Sequence, residues 1–443
     1  MIQNTIRMIT LLLATWLLIP VFSASADYDT ITISNPFLRK IPLAVPEFKS
    51  FAGTSEEEKL GREAAGLLSA TLEFTCYFNI IDKAAFLEQP KETGIGMSDI
   101  HLKNWSDIGA EFLVTGGVTL NKDIVVLELR LIDVFKQRML IGKRYKGQTG
   151  DLRKIVRRFC SEVMEQFTGQ RGIFESSIAF VSNGTGNKEI WACEFDGYNP
   201  RQITDNDVID LSPAWSSDGQ WLAYTSYRKG KPDLYIQHLT DNRGVVVDQP
   251  GTNISPAWRS DRFELAASLS FSGDQEIYLL TGKGKIIRQL TKSWDIDVSP
   301  TFSPDGDRMA FVSKRGGTPQ LYVMDLASGY TQRLTFEGRY NTTPEWSPVE
   351  DKIAYSAMED GCFEIKVVDV GTKKCVQLTE KNGDNESPTW SPDGSLIAFS
   401  STREGGQARI YVMTVAGTDQ KRLLTLPGEQ TTPEWSRGQT AGK

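Results

Sequence analysis

Six near-copies of one short phrase recur through the second half of this 443-residue chain, about every 44 residues. They start at Ser212 (SPAWSSDGQWLAY), Ser255, Ser299 (SPTFSPDGDRMAF), Thr343 and Ser387 (SPTWSPDGSLIAF), and a last fragment, TPEWS, starts at Thr432. The prolines are Pro213, Pro256, Pro300, Pro344, Pro388 and Pro433. A fixed period of this size with four short strand signals per unit points to a β-propeller, since one unit cannot bury its apolar faces alone. The first signal is the Pro-x-Trp/Phe phrase. The second is apolar-Ala-aromatic, as in Leu222-Ala223-Tyr224 and Ile397-Ala398-Phe399, with the aromatic lost at Leu265-Ala266-Ala267. The third reads like Leu321-Tyr322, and the fourth ends in apolar-Thr, as in Leu290-Thr291.

The two ends of the array decide the blade count. Ahead of the first full phrase stand Ile178-Ala179-Phe180, Ile190-Trp191 and Ile203-Thr204, a blade with no first strand. The terminal TPEWS is a first strand with nothing after it. Together they make one blade, giving six, closed by the C-terminal strand beside the segment after Ser177. Closure removes the free sheet edges of an open array.

Most of the repeated chemistry is architectural. Ser-Pro-Asp-Gly at Ser303 and Ser391 spells a type I turn between strands one and two. Trp215, Trp258, Trp346, Trp390 and Trp435, with Phe302 in the remaining copy, recur in every blade. That favours packing between blades over a ligand cage.

The chain before the repeats is different. Arg7, an apolar run to Phe22 and Ala24-Ser25-Ala26 form a secretory leader over residues 1–26; its rival, a retained membrane anchor, suits the short run less well. No other segment is apolar for 18 residues. Residues 27–170 read as an N-terminal α/β (α+β) domain. Residues 30–34 and 41–48 (IPLAVPEF) are strand-like, and Ser55-Glu56-Glu57-Glu58 resembles a capping box opening a helix towards Cys76. Strands are expected over 78–82, 112–119, 124–134 and 139–146, with a short helix over 101–109. A closing helix carries Leu152, Ile155, Val156, Phe159, Val163, Met164 and Phe167 on one face and stops at Gly169. The propeller then occupies 171–437, before a polar tail over 438–443.

Composition narrows function. The net charge is −7, which argues against nucleic acid as a partner. Five scattered cysteines make no disulfide framework; a Cys76–Cys160 bridge is the less favoured reading beside buried thiols. Only two histidines, His101 and His238, are present, and no G-x-S-x-G elbow. Catalytic triads and histidine metal centres are therefore poorly supplied, and the expectation is no enzyme and no cofactor. Asp205, Asp207, Asp210, Asp295 and Asp297 are acids that a calcium site would use, but isolated loop acids are more often solvated.

Strand direction places the strand four-to-one and two-to-three loops on one face. That face carries Asn253, Ile254, Trp294, Asp295, Asp297, Tyr340, Asn341, Asn385 and Gln430, with Arg228, Lys231, Arg315 and Arg403 around them. Aromatic anchors among mixed charges suit protein binding.

The leader, the α/β domain and the SPxWSPDGxxIAFxS…LYVMDLxSG…RLT repeats together resemble the TolB family, periplasmic propeller proteins of the Tol-Pal system. SPDGDRMAFVSKRGGTPQLYVMDLASGYTQRLT from Ser303, IPLAVPEF from Ile41 and AEFLVTGGVT from Ala110 carry the likeness over essentially the whole mature chain. The resemblance implies a periplasmic, monomeric, non-enzymatic adaptor with a role in outer-membrane integrity and envelope constriction during cell division. It implies binding of the peptidoglycan-associated lipoprotein Pal at the propeller mouth, through Thr252, Asn253, Ser255, Trp294, Asp297, Val298, Tyr340 and Asn341. The family's histidine-bearing loop is not reproduced before Pro256, where Gly251-Thr252-Asn253-Ile254 stands. TolA would be met by the mature N-terminal segment Asp27, Tyr28, Asp29, Thr30, Ile31, Thr32, Ile33 and Ser34, whose alternative reading is an ordinary edge strand. Other outer-membrane or peptidoglycan-associated proteins are further partners of this class. The rival functions are an exported propeller hydrolase or lactonase, and a periplasmic small-ligand binding protein.

Overall fold

The structure, a computed structural model, describes residues 39–437 apart from Asn242 and Lys381. The expected leader, the segment 27–34 and the tail 438–443 lie outside the described residues.

The N-terminal domain is a mixed sheet covered by helices. Its strands are β1 (Ile41–Ala44), β2 (Lys49–Ser50), β3 (Phe78–Ile80), β4 (Phe112–Asn121), β5 (Ile124–Asp133) and β6 (Arg138–Gln148), in the order β3-β1-β4-β5-β6 with β2 beside β4. The strand expected over 41–48 ends at Ala44, before Pro46, which has no N–H to continue the ladder. Helix α1 (Ser55–Phe74) buries Ala64, Ala65, Leu68 and Leu72, and α2 (Pro90–Thr93) and α3 (Leu102–Asp107) are short. Helix α4 (Leu152–Thr168) buries Ile155, Val156, Phe159, Val163, Met164 and Phe167, and ends on Gly169 at φ +75°. That left-handed cap costs glycine little.

The cap of α1 lies one residue earlier than the sequence suggested. Thr54 takes the hydrogen bond from Glu57 N at 3.3 Å. The buried Glu57 carboxylate accepts from Ser50 Oγ, Ala52 N and Leu120 N at 2.8, 2.9 and 2.7 Å. Burial pushes this carboxyl up, but these donors outweigh it and its pKa falls. Of the three glutamates only Glu57 points inward, so Thr54 supplies the cap while the Glu57 carboxylate ties the helix to the preceding turn and to Leu120 rather than closing a box.

The second part is a ring of six four-stranded sheets. Five are sequential; the sixth joins Gln430–Trp435 to Ser177–Ser182, Glu189–Glu194 and Arg201–Gln202. Gln430 pairs with Ser182 and Trp435 with Ile178. Ser436 and Ser177 then exchange Ser436 N to Ser177 O at 2.8 Å and Ser177 N to Ser436 Oγ at 2.9 Å. The closure expected from the two half-blades is the closure observed.

The repeated aromatics lie between blades. Trp258 is buried with Ala223, Leu234 and Ile236 of the preceding blade and Leu265 and Tyr278 of its own. Its indole donates to Ala214 O, at 3.1 Å; Trp215 and Trp390 donate likewise to Glu434 O and Glu345 O, both at 3.0 Å. Ser303 and Gly306 close the expected turn, Gly306 N to Ser303 O at 2.9 Å with Gly306 at φ +74°.

Two local features differ from the sequence reading. In four of the apolar-Thr phrases the Thr lies beyond strand four and its hydroxyl accepts from strand three: Thr204, Thr291, Thr335 and Thr379, as in Ile277 N to Thr291 Oγ1 at 2.8 Å. And strand one is bulged at its Ser/Thr-Pro step: pairing jumps from Leu211 opposite Thr225 to Ala214 opposite Ala223. Ser212, Ser255, Ser299, Thr343, Ser387 and Thr432 all hold φ between +45° and +54°. That conformation costs a non-glycine residue about 1–2 kcal/mol, and the ring closure and neighbouring ladders hold it.

The N-terminal domain rests on the face formed by the strand one-to-two and three-to-four turns. Arg153 Nε reaches Glu194 at 3.0 Å, and Arg157 pairs with Glu194. Lys40 meets Asp419 at 2.6 Å, and Lys421 Nζ sits 4.0 Å from the Phe74 ring centroid. Phe195 lies edge-on to Phe74 and Phe174, at 5.4 and 5.5 Å.

Removing residues 431–443 takes away the closing strand and exposes the edge at Ser177–Ser182. We expect a large fall in the melting temperature and loss of a single cooperative transition, read by calorimetry. Trp258→Ala, with the ring closed, should instead cost about 3–5 kcal/mol in a urea titration with cooperativity kept.

Candidate protein-binding face

The opposite face, built from the strand four-to-one and two-to-three loops, is clear of the N-terminal domain contacts. Trp294 is the most exposed large apolar residue described, at 72%, in the loop before Asp297–Phe302; Tyr340, at 42%, precedes Asn341–Trp346. Tyr340 O accepts from Met358 N at 2.9 Å, and its ring stands edge-on to Phe363 at 5.8 Å. An exposed indole and phenol on adjacent blade junctions offer large area at low conformational cost. Ile209, Tyr227, Phe271 and Phe336 are exposed loop residues of the same face that the sequence reading passed over. Scanning the two-to-three and four-to-one turns for apolar residues would have found them.

The other candidate residues are placed differently. Thr252 is half-buried, its N–H held by Ser270 Oγ at 2.8 Å. Ser255 and Val298 are half-buried too: Ser255 lines the central channel, and Val298 packs against a cluster between blades. Asn253, Asp297 and Asn341 are buried, so their side chains lie beneath the loops rather than on the surface. As first residues of strand one they point into the blade junction, where they anchor loops. Asn253 Nδ2 donates to Asp233 Oδ1 at 3.0 Å, Asn341 Nδ2 to Gln320 Oε1 at 2.9 Å, and Arg315 Nη2 to Asp297 Oδ2 at 2.6 Å. The arginines thought to surround the face are likewise engaged: Arg228 with Asp210 at 3.8 Å and Arg403 with Asn385 at 2.9 Å. The exposed aromatics, not these charges, are what the face presents.

The channel is the second concave feature. The six Ser/Thr-Pro steps line a cavity of about 130 Å³. Below it Glu345, Glu434 and Arg437 share a smaller cavity of about 80 Å³ with Trp215, Trp258 and Trp435. Burial pushes the Glu345 carboxyl up to about 7 despite the Arg437 charge, and pushes Glu434 well up, further raised by Glu345. Burial lowers Arg437, which both carboxylates partly restore. Among the described residues, no three His, Cys, Asp or Glu side chains gather as metal ligands. All five cysteines are free, Cys76 and Cys160 both buried. No described helix is long and apolar enough to cross a membrane.

Comparison with known proteins now bears on identity. The TolB beta propeller domain matches residues 164–439, and the TolB amino-terminal domain matches 29–140. This chain belongs to the TolB family. A relative from Desulfosudis oleivorans, a Tol-Pal system protein TolB, is 71% identical over 418 residues, 94% of this chain and 95% of the relative. A TolB homolog from Chlorobium chlorochromatii is 42% identical over 280 residues, covering 63% and 62%. The crystal structure of TolB from Acinetobacter baumannii superposes with a TM-score of 0.79 at 24% identity, covering 90% of this chain and 97% of that one, which shows the shared fold. The family is one of propeller adaptors and not of enzymes, and its Tol-Pal members are periplasmic.

Because the folded pKa of Glu345 is raised, its contribution to stability is full below the ordinary carboxylate range and is lost as pH rises through about 7. Denaturant midpoints measured across that range should fall more for the unaltered protein than for Glu345→Gln.

Proposed function

We propose that this chain is the periplasmic adaptor of the Tol-Pal system, binding the peptidoglycan-associated lipoprotein Pal on the loop face. On this reading it contributes to outer-membrane integrity and to envelope constriction during division. One observation carries it. The aromatic rim led by Trp294 and Tyr340 lies on the face that the N-terminal domain leaves clear, so a partner can dock there without displacing that domain. Interfaces take most of their energy from such aromatic anchors. Among the candidate residues, Trp294 and Tyr340 make contact, Thr252, Ser255 and Val298 frame the neighbouring loops, and Asn253, Asp297 and Asn341 hold them. Residues 27–34 are the segment proposed to meet TolA, a partner distinct from the one at the loop face. Two partners at separate places make an adaptor.

The test is calorimetric titration with the soluble domain of Pal. Trp294→Ala and Tyr340→Ala should each weaken binding by about 1–2 kcal/mol with the melting temperature unchanged. Full affinity in the double variant sinks this placement. Deleting residues 27–34 should abolish crosslinking to TolA and leave the Pal titration intact.

A further inference from the structure

Five of the six blade junctions pair a polar residue of strand three with the polar residue that begins strand one of the next blade. The pairs are Glu189 with Asp210, Asp233 with Asn253, Glu276 with Asp297, Gln320 with Asn341, and Glu364 with Asn385. All ten side chains are buried, so each pair needs a hydrogen between its oxygens. In three pairs the asparagine amide supplies it, at 3.0, 2.9 and 3.1 Å. Between Glu189 and Asp210 the amide of Asn206 bridges, at 3.4 and 2.8 Å.

Glu276 and Asp297 have no such donor. Ser293 stands where Asn206 stands in the earlier loop, and its hydroxyl is spent on Asp295 O. Glu276 Oε2 accepts from Thr291 Oγ1 at 2.7 Å and Oε1 from Ser293 N at 2.6 Å. Asp297 Oδ2 accepts from Arg315 Nη2, and its Oδ1 is buried without a partner among the described residues. Asp297 N donates to Gln275 O at 2.8 Å, which sets Asp297 beside Glu276 at the position where the equivalent pairs meet at the other junctions. Two ionised carboxylates buried side by side repel, and one proton between them removes the repulsion.

We propose that Glu276 and Asp297 share one proton at neutral pH, and that this proton positions the Trp294 loop for its partner. The loop runs from Thr291 to Asp297, so the pair grips it at both ends, with Ser293 N held between. Burial raises the Glu276 carboxyl, and the facing Asp297 raises it further. The charged side chains on the surrounding elements are Asp274, Lys292, Asp295, Lys314 and Arg315, and of these Arg315 alone bonds to the pair. Glu276–H, Asp297⁻ and Arg315⁺ are then neutral together. As pH rises and the proton leaves, a net negative charge remains buried and the grip on the loop loosens. The stabilisation is full at low pH and lost upward through the raised pKa. Gln320, at the same position one blade on, shows that an amide fits this site.

The part concerning the partner rests on the reading of this face as the Pal site; the protonation state does not. Isotope-edited infrared spectroscopy of the whole mature protein near neutrality should show a carboxylic C=O band that Glu276→Gln removes. Absence of that band in the unaltered protein overturns the proposal. Titration with the soluble Pal domain from about pH 6 to pH 9 should weaken about tenfold, one pKa unit of coupling. Glu276→Gln should bind as tightly as the unaltered protein at the acid end and stay flat. If both show the same pH profile, the positioning role is lost. If Trp294→Ala leaves affinity unchanged while the band is present, the face reading fails and the shared proton stands.

Discussion

The structure depends on the pairing of Gln430–Trp435 with Ser177–Ser182, which turns an array of sheets into a ring. Without it two strand edges would face solvent, and the interface between the sixth and first blades would lose its hold. Closure also fixes the radius at which the six Ser/Thr-Pro bulges meet, and hence the size of the channel. It carries Arg437 to the channel floor beside Glu345 and Glu434. A strand separated from its partner by some 250 residues therefore governs both stability and the electrostatics of the centre.

The blade junctions do a second task. Each has an apolar layer around a Trp or Phe, and five of the six add a buried polar pair close to the loops. The apolar layer is non-directional and tolerates variation, as Phe302 for Trp shows. The polar pairs are directional and set where each loop leaves the ring. Loops on this face can then differ in sequence without disturbing the frame, which is how unrepeated residues such as Trp294 come to be presented on a repeated scaffold.

The N-terminal domain and the exposed aromatic rim occupy opposite ends of the ring. Acidic turns at Glu194, Asp196 and Asp419 meet Arg153, Arg157 and Lys40, and the ring contacts of Phe195 add an apolar centre. The exposed aromatic rim lies at the other end. This polarity follows from the direction of the strands, which alternates the turns between the two faces.

The sequence by itself determined the period, the six blades, the closing strand, the inter-blade aromatics and the exposure of Trp294 and Tyr340. These are legible because each repeats at a fixed spacing or breaks a repeat in plain view. Its local readings of the N-terminal domain were close, with the cap of α1 off by one residue, because Thr54 and Ser55 are both good caps and only the inward-facing Glu57 chooses. What the tertiary structure alone decided is which polar residues face solvent. Asn253, Asp297 and Asn341 read as loop residues in a one-dimensional pattern, yet strand one begins inside the junction and buries them. The bulge at each Ser/Thr-Pro step was equally hidden, since proline normally disfavours it and only the ring imposes it. The pairing of Glu276 with Asp297 joins residues of two blades, and a contact across blades has no signature in the chain that spells it.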